Sequence, residues 1–248
     1  MATRTYRTRA VVLRSLRFGE ADRILHLFTE ERGRVGAIAK GARRLRSRFG
    51  ARLEPFTHVD LMLYRGRGSL DTVTQADILG SHRALRDDLG LFGAGETMLE
   101  AIDKVAEEHE RNVRLFLLLL SGLRALEGRP ADPTAVTESF LLKLLSLSGF
   151  HPSLTACAIC GSTSADRWSS AQGGLVCAGC ADGHAEPAPP ETVGLLATLA
   201  TADLADAGAH VADERVRRGA RAFLFGFCEY HFERRMRSFP ILARSLTS

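Results

Sequence analysis

The stretch RAVVLRSLRFGEADRILHLFTEERGRVGAIA, residues 9–39, decides the fold. Short apolar runs or apolar alternation mark three strands within it, at Arg9–Leu16, Arg23–Phe28 and Arg34–Ala39. A turn at Glu30–Gly33 joins the second and third strands into a hairpin. The chain is therefore expected to begin with a β domain.

Two further strands are predicted downstream, at Val59–Tyr64 and Leu70–Leu79. Five short strands in about 75 residues, with turn signals between them, are typical of a small barrel. The five-stranded oligonucleotide/oligosaccharide-binding (OB) barrel is the first choice. An SH3-like barrel stays open as the alternative, because strand spacing alone does not separate the two.

The apolar period lengthens from about Leu85, which predicts helices. Glycines at positions 90, 93 and 95 are expected to interrupt the first of them. Asp132 and Pro133 start another helix, because aspartate is a good N-cap and proline fits the first helical position. Helices are predicted, in chain order, at Val113–Leu126, from Pro133 to about Gly149, at Thr192–Ala205 and at Asp213–Arg237.

Four of the five cysteines form two Cys-x-x-Cys hooks, separated by sixteen residues: Cys157, Cys160, Cys177 and Cys180. Each hook places two thiolates on one side of a tight turn, and together they complete the tetrahedron that zinc accepts. Because all four ligands are thiolates, one structural Zn²⁺ is expected, with no open catalytic position. Two disulfides or an iron–sulfur cluster are the alternatives. His151 or His184 is the alternative to one cysteine ligand.

These patterns predict an α+β multidomain protein. An N-terminal five-stranded OB-fold β-barrel occupies residues 1–80 and is expected to bind nucleic acid. An all-α helical domain occupies residues 81–248, with an inserted four-cysteine zinc knuckle at residues 151–185.

The net charge of +4 hides a strong asymmetry between the two halves of the chain. The first 80 residues contain 16 arginine and lysine residues against eight acidic residues, while the remainder is net acidic. A basic half indicates an anionic partner, and phosphate backbone is the commonest one. An acidic membrane surface or an acidic protein is the alternative.

A window free of acidic residues separates Glu31 from Glu54. With no nearby counter-charge, its cations are expected to lie unpaired in a loop and to bind DNA phosphates. Phe49 and Phe56 lie among or near them and are candidates for stacking on bases. The proposed DNA contacts are Arg32, Arg34, Lys40, Arg43, Arg44, Arg46, Arg48 and Arg52.

Catalytic motifs are not apparent in the sequence. It contains no Walker or Rossmann glycine loop, no nucleophile elbow and no zincin motif. The chain is therefore expected not to be an enzyme. No secretory signal or membrane-spanning run is apparent either, so a cytoplasmic, nucleoid-associated protein without a membrane partner is expected.

Three short segments resemble the N-terminal domain of the bacterial RecO recombination mediators: Phe28–Val35, Ala39–Arg43 and Leu53–Thr57. Glu229–His231 and the following Arg237–Phe239 resemble the C-terminal end of that family. The order of basic barrel, helical domain and four-cysteine insertion is also similar. The resemblance implies an OB fold that binds single- and double-stranded DNA and anneals complementary strands.

The resemblance further implies help, together with RecR, in loading the RecA recombinase onto DNA coated by single-stranded-DNA-binding protein. By position it assigns DNA contacts to Lys40, Arg43, Arg44, Arg46 and Arg48. It places contact with the acidic tail of single-stranded-DNA-binding protein on the helical domain. Candidates for that contact are Arg215, Arg217, Arg218 and Arg221. The alternative function is a zinc-ribbon accessory factor that binds RNA or another protein.

Overall fold

The computed structural model describes residues 4–44, 46–66, 68–210 and 212–244. Within them, a closed N-terminal barrel is formed by β1 (Thr5–Phe18), β2 (Asp22–Thr29), β3 (Gly33–Ala39), β4 (His58–Tyr64) and β5 (Asp71–Gly80). Around the barrel the order is β1-β2-β3-β5-β4, and β5 runs parallel to β3. This crossed-over closure belongs to the Greek-key OB type. The predicted OB-like barrel is confirmed, and the SH3-like alternative is set aside.

The apolar run at Ala10–Leu13 does not alternate, because β1 is buried on both of its faces. Ala10 and Val12 pack into the barrel interior, whereas Val11 and Leu13 join the hydrophobic core of the helices. The pairing of β1 with β2 shifts register at Leu13, which is the mark of a β-bulge. Barrel and helices therefore share one continuous apolar interface.

The rest of the described chain is mainly helical, as predicted. Four acidic or amide side chains cap these helices: Asp88, Asn112, Asp132 and Asp213 each accept a hydrogen bond from a first-turn amide. The predicted cap at Asp132, followed by Pro133, is confirmed. The helices are α1 (Ala84–Asp87), α2 (Leu89–Val105), α3 (Val113–Glu127), α4 (Pro133–Leu147), α5 (Pro190–Thr201), α6 (Leu204–Ala207), α7 (Glu214–His231) and α8 (Phe239–Arg244).

The expected interruption of the first long helix by glycines is wrong, since α2 runs unbroken through positions 90, 93 and 95. Gly95 has a packing role there. A Cβ at this position would lie 2.8 Å from the ring of Phe56 and 3.2 Å from Leu85. The absence of a side chain at Gly95 lets α2 approach the barrel closely.

The last two predicted helices are shorter than their apolar pattern indicates. Residues 192–205 divide into α5 and α6 at Ala202, and α7 ends at His231 rather than Arg237. After α7, Glu233 adopts a left-handed conformation with φ 52°. The backbone amides of Arg237 and Ser238 then bind the carboxylate of Glu100, on α2. The chain therefore leaves the helix six residues earlier than the apolar pattern indicates, and a tertiary contact holds the segment that follows.

The cysteine-rich segment forms a small sheet of β6 (Arg167–Ser169), β7 (Gly174–Val176) and β8 (Glu186–Pro187), with β6 in the centre. The segment is attached to α7 through Trp168. The indole ring stacks on Phe223 at 5.2 Å between centroids, and Phe227 packs against it at 5.7 Å. This stack fixes the cysteine segment on the helical part of the molecule.

The loop between α2 and α3 packs against the barrel at Gly33. The Arg34 amide donates to Glu107 O, and the His109 amide donates to Arg34 O. Gly33 has φ 56°, and a Cβ there would overlap the backbone oxygens of Glu107 and Glu110. Glycine is therefore required at this position both for its backbone conformation and for the close approach of the loop.

Gly33→Ala is expected to lower the free energy of unfolding by about 2–4 kcal/mol, because strain and backbone overlap add at one position. Urea denaturation provides the measurement. Gly194→Ala, in α5, is the matched control, since a Cβ there meets nothing within 4 Å. That substitution should stabilise the protein by up to about 1 kcal/mol. Equal stability of the two variants would contradict the packing described at Gly33.

Candidate nucleic-acid interface and metal centre

The basic segment lies in the connection between β3 and β4 and is anchored at several points. Ala42, Phe49 and Leu53 are buried in the barrel core. The Gly41 amide donates to Asp22 Oδ1 at 2.8 Å, and the Arg43 amide donates to Ala21 O at 2.8 Å. The connection is thus held against the β1–β2 turn, with buried residues spaced between its charged ones.

Five cations of this connection point into solvent: Lys40, Arg43, Arg44, Arg46 and Arg48. Among the described residues, none of the five makes an ion pair. The Arg43 side chain donates to the carbonyl oxygens of Gly19 and Glu20, which are uncharged acceptors and therefore do not form an ion pair with it. These five, referred to below as the basic loop, form a fixed cationic surface.

The expectation that all eight cations of the window are unpaired is wrong for Arg34. Its guanidinium lies 3.4 Å from Asp103 and 3.5 Å from Glu108, both in the α2–α3 region. Arg32 and Arg52 are half-buried. Arg32 lies over the ring of Tyr6 at 4.4 Å, and Arg52 donates to Arg48 O. For Arg34, carboxylates about seventy positions later in the chain supply the counter-charge that the local sequence lacks.

The expectation that Phe49 and Phe56 stack on bases is also wrong. Phe49 belongs to the barrel core, and Phe56 packs edge-on against Phe92 at the helical interface. Phe18, at the end of β1, is instead half exposed, as is Leu16 beside it. Arg43 contacts the turn that follows Phe18, so this ring lies next to the basic loop. The exposure of Phe18 cannot be predicted from the sequence, because its place in the apolar pattern does not distinguish it from a buried strand residue.

The outer face of β2 and β3, which OB folds commonly use for oligonucleotides, is partly covered here. The segment from Asp103 to His109 crosses it and leaves a cleft of about 220 Å³ next to His26, Gly36 and Leu70. The two carboxylates that pair with Arg34 lie in this covering segment. The basic loop, next to the β1–β2 turn, is a cationic surface of the barrel that this segment leaves uncovered.

The two cysteine hooks converge on one point. All four sulfur atoms lie within 4.8 Å of one another, and Cys160 Sγ is 3.7 Å from Cys177 Sγ. Within the described ranges the group consists of cysteines alone, and His151 Nδ1 pairs with Ser146 Oγ instead. Hydrogen bonds from the backbone amides of Cys160 and Cys177 lower the pKa of Cys157 to about 6. The four cysteines can hold a metal ion as thiolates.

The Cys160–Cys177 sulfur separation of 3.7 Å exceeds the roughly 2.05 Å of a disulfide bond, and the convergence of all four sulfur atoms on one point favours a metal site over two disulfides. The fifth cysteine, Cys228, is fully buried in the hydrophobic core, where burial raises the pKa of its thiol. It lies outside the sulfur cluster.

The four arginines of α7, the sequence-based candidates for contact with the acidic tail, do not form a common exposed surface. Arg221 is buried and pairs with the buried Glu138 at 3.0 Å. Arg217 pairs with Asp132, and Arg215 pairs with Glu191 at 2.7 Å. Arg218 is exposed. Three of the four guanidinium groups therefore bind carboxylates of this same chain, and two of those contacts tie α7 to the region of α4.

A shallow groove of about 500 Å³ lies between α3, α4 and α6. Leu118, Ala125 and Leu204 form its apolar floor, and Arg124 and Lys143 lie at its sides. Lys143 Nζ donates to Ala200 O at 3.0 Å, and burial lowers its pKa. Asp203 is the acidic residue of the lining. The groove thus combines a small apolar surface with a net positive rim.

Across the described parts of the chain, none of the helices combines the length and apolar character needed to cross a membrane.

Comparison with known proteins gives two family matches that together cover most of the chain. The family model described as "Recombination protein O N terminal" matches residues 1–82, and the one described as "Recombination protein O C terminal" matches residues 86–240. The division between them falls just after β5 and at the end of α1.

Individual relatives carry the name "DNA repair protein RecO". The protein from Nocardioides sp. is 46% identical over 249 residues, covering 96% of this chain and 99% of the relative. The one from Frankia casuarinae is 43% identical over 243 residues, covering 97% and 99%. The one from Rubrobacter xylanophilus is 45% identical over 224 residues, covering 88% and 90%. The similarity therefore extends over both the barrel and the helical part.

Elemental analysis of the purified protein is expected to find one metal ion per chain, because the four sulfur atoms form a single closed site. Cys160→Ala should lower that stoichiometry and loosen the cysteine segment, since metal binding there contributes folding free energy. Cys228→Ala is the matched control and should retain the ion. A stoichiometry near zero in wild-type protein kept reduced would contradict the site.

Proposed function

The chain belongs to the RecO family of DNA repair proteins, and on that premise we propose that it is a recombination mediator that works by binding DNA. In this proposal it binds single- and double-stranded DNA, anneals complementary strands, and acts at the nucleoid in the cytoplasm. It assists, together with RecR, the loading of RecA onto DNA coated by single-stranded-DNA-binding protein. No covalent chemistry is assigned to it.

The observation that carries this proposal is the basic loop. Five exposed cations without ion-pair partners in the described residues are held on a structured connection beside the β1–β2 turn. Phosphates neutralised by such cations release counterions, so the affinity is high at low salt and independent of base sequence. A mediator that must act on any strand needs that kind of contact. Arg32, Arg34 and Arg52 are assigned a supporting role, because their side chains already have partners within the chain.

The two domains are assigned different roles. We assign DNA binding to a domain of residues 1–80 and partner binding to residues 81–248. Phe18 adds one base-stacking contact next to the basic loop, since every base offers an aromatic face whatever the sequence. With a single exposed ring in this region, the phosphate contacts should dominate the affinity.

We assign zinc to the cysteine site in residues 151–185. A single tetrahedral Zn²⁺ with Zn–S bonds of about 2.3 Å requires sulfur atoms about 3.8 Å apart. The Cys160–Cys177 separation of 3.7 Å supports that assignment. A multi-iron cluster would hold the thiolates farther apart. With four protein thiolates the ion is structural, and its role is to shape the segment that Trp168 attaches to α7.

The groove between α3, α4 and α6 is proposed as the site for the C-terminal tail of single-stranded-DNA-binding protein. That tail is acidic and ends in an apolar residue. The apolar floor at Leu118 and Leu204 is suited to the apolar end, and Arg124 and Lys143 are suited to the acidic part. Charge complementarity favours this groove over α7, where three of the four arginines are already paired.

Reversing the charge of Arg43, Arg44 and Arg46 to glutamate is expected to weaken binding of single-stranded DNA by at least about tenfold. The plot of log affinity against log salt should flatten by about 2, because three phosphate contacts are removed. Fluorescence anisotropy with a labelled oligonucleotide over a salt series gives both quantities. Phe18→Ala should weaken binding by about 1 kcal/mol and leave the salt slope unchanged.

The matched control is the triple glutamate variant of Arg114, Arg129 and Arg218, which are exposed and carry the same charge change on the helical part. It should bind DNA like the wild type. Equal losses in both triple variants would show that only net charge matters and would contradict the basic-loop assignment. A clear preference of the wild type for RNA over DNA of equal length would contradict the DNA-mediator function.

The mediator function is tested by annealing complementary strands that are either naked or coated with single-stranded-DNA-binding protein. The wild type should accelerate both reactions. Arg124→Glu should slow the coated reaction by about tenfold, because charge repulsion displaces the acidic tail. Naked strands should anneal at the wild-type rate in this variant. Arg114→Glu, on the same helix but outside the groove, is the control and should behave as the wild type in both.

Failure of the wild type to anneal either substrate would contradict the mediator function itself. If Arg124→Glu slowed naked and coated strands equally, the groove assignment would be wrong while the annealing function stood.

A further inference from the structure

A groove of about 460 Å³ lies between the cysteine segment and α7. Trp168, Asp182 and Glu186 line it from the cysteine segment, and Phe223 and Tyr230 line it from α7. It shares no residue with the basic loop or with the sulfur cluster. This aromatic groove, as it is called below, places three aromatic rings next to two acidic groups.

The charge of the aromatic groove is negative. Asp182 and Glu186 are acidic, and no described residue of the lining is lysine or arginine. Within the described residues, neither carboxylate takes part in an ion pair. The Asp182 carboxylate is held in place by Ser169 Oγ, which donates to it at 3.3 Å, and by the His184 amide, which donates at 3.0 Å. The groove therefore attracts a cation and repels the phosphate backbone of DNA.

The rings of the aromatic groove favour one kind of cation. Phe223 and Tyr230 lie two turns apart on one face of α7. Phe223 is half-buried and stacks on Trp168, while Tyr230 is 53% exposed. Aromatic faces attract cations, and a planar guanidinium both stacks on such a face and pairs with a carboxylate through two hydrogen bonds. Rings next to unpaired carboxylates therefore favour arginine over lysine.

The α7 side of the groove is open between its rings, where Ala222 and Gly226 are both exposed. A Cβ at Gly226 would meet only Ser170 Oγ, at 3.9 Å, which is an ordinary contact. Packing inside the chain therefore does not require glycine there, although glycine is unfavourable in a helix interior. The missing side chain leaves room for the backbone of a ligand to approach α7 closely.

Trp168 gives a second, independent indication of a ligand. The residue is 4% exposed, and its indole Nε1 has no hydrogen-bond acceptor among the described residues. Buried donors in folded proteins are nearly always paired, so a ligand that fits the groove has to bring an acceptor. Contact with Nε1 requires a small shift of the groove wall, of the kind that side chains commonly make at an interface.

These contacts distinguish three sources of positive charge. Among the described residues, three or more metal-ligating side chains converge only at the four cysteines, so a metal ion is not the ligand of the groove. A polyamine has only donors and leaves Trp168 Nε1 unpaired. An arginine within a polypeptide carries a planar cation and, close to it, backbone carbonyl oxygens that accept hydrogen bonds. The polypeptide therefore fits both the charge and the unpaired donor.

We propose that the aromatic groove binds an arginine side chain from a basic segment of a partner protein. The guanidinium lies against Phe223 and Tyr230 and pairs with Glu186. The backbone of the segment passes over Gly226, and one of its carbonyl oxygens accepts a hydrogen bond from Trp168 Nε1. Because the groove and the basic loop have no residue in common, this proposal does not depend on DNA binding by the loop.

Trp168 is the single tryptophan of the chain, so its indole N–H gives one resonance in a proton–nitrogen correlation spectrum. The full-length protein is titrated with the capped peptide acetyl-Gly-Arg-Gly-amide. The indole proton should move downfield and saturate as the hydrogen bond forms. A peptide with citrulline in place of arginine has the same shape without the charge, and it should bind at least about tenfold more weakly.

Two variants test the groove itself. Glu186→Gln removes one carboxylate from an exposed position and should weaken binding of the arginine peptide at least about fivefold, with little effect on the citrulline peptide. Gly226→Met fills the space above α7 and should abolish the response to the peptide. Gly194→Met, in α5, is the matched control, because a Cβ there meets nothing within 4 Å. Both methionine variants should keep the DNA affinity, the metal content and the circular dichroism of the wild type.

Equal affinity for the arginine and citrulline peptides would overturn the proposal, as would the lack of any indole response up to about 10 mM peptide. The same indole response to spermidine would show a polyamine site, and a response to oligo(dT) would show a nucleic-acid site; either result overturns a protein partner. An indole resonance that moves with protein concentration alone would assign the groove to the basic loop of a second copy of this chain and would overturn it too. Loss of the response in Gly194→Met would likewise contradict a local effect in the groove.

Discussion

The close approach of α2 to the barrel is the constraint on which the rest of the structure depends. Gly95 allows contact with the ring of Phe56, and Asp103 pairs with both Arg14 and Arg34. Glu100, one helical turn before Asp103, binds the backbone of the turn after α7. One helix thereby fixes the barrel and the turn after α7 relative to each other.

The same contact decides which part of the barrel can bind DNA. In an OB fold the outer face of β2 and β3 is the common binding surface. Here the segment that follows α2 covers part of it and neutralises Arg34 with Asp103 and Glu108. The open cationic surface is displaced to the β3–β4 connection. In the proposed function, a connection with buried anchors at Phe49 and Leu53 binds DNA in place of the sheet face, and phosphate contacts replace most of the base stacking.

Much of this architecture can be predicted from the sequence, because its signals are local. The strands of the barrel follow from apolar runs and turns, and the sulfur cluster follows from two Cys-x-x-Cys hooks. The errors concern contacts between residues far apart in the chain. Arg34 looks unpaired because its carboxylates lie about seventy positions later. Phe49 and Phe56 look like ligands for bases because charge surrounds them in the sequence, although the fold turns both inward. The apolar pattern also continues past His231, where α7 ends, and Glu100 of α2 holds the segment that follows.

Buried and exposed ion pairs also explain why arginine number is a poor guide to DNA contacts in this chain. Arginine is abundant throughout, and many of its guanidinium groups have internal carboxylate partners, as in the buried pair of Arg221 with Glu138. Breaking such a pair leaves an uncompensated buried charge, so these arginines are constrained by stability. Cations that remain exposed, without ion pairs and on ordered backbone are the informative ones. Among the described residues, the basic loop gathers five such cations on one connection, whereas Arg114, Arg129 and Arg218 lie singly on the helical part. Clustering on one ordered connection, and not the number of arginines, is therefore what marks a candidate phosphate-binding surface.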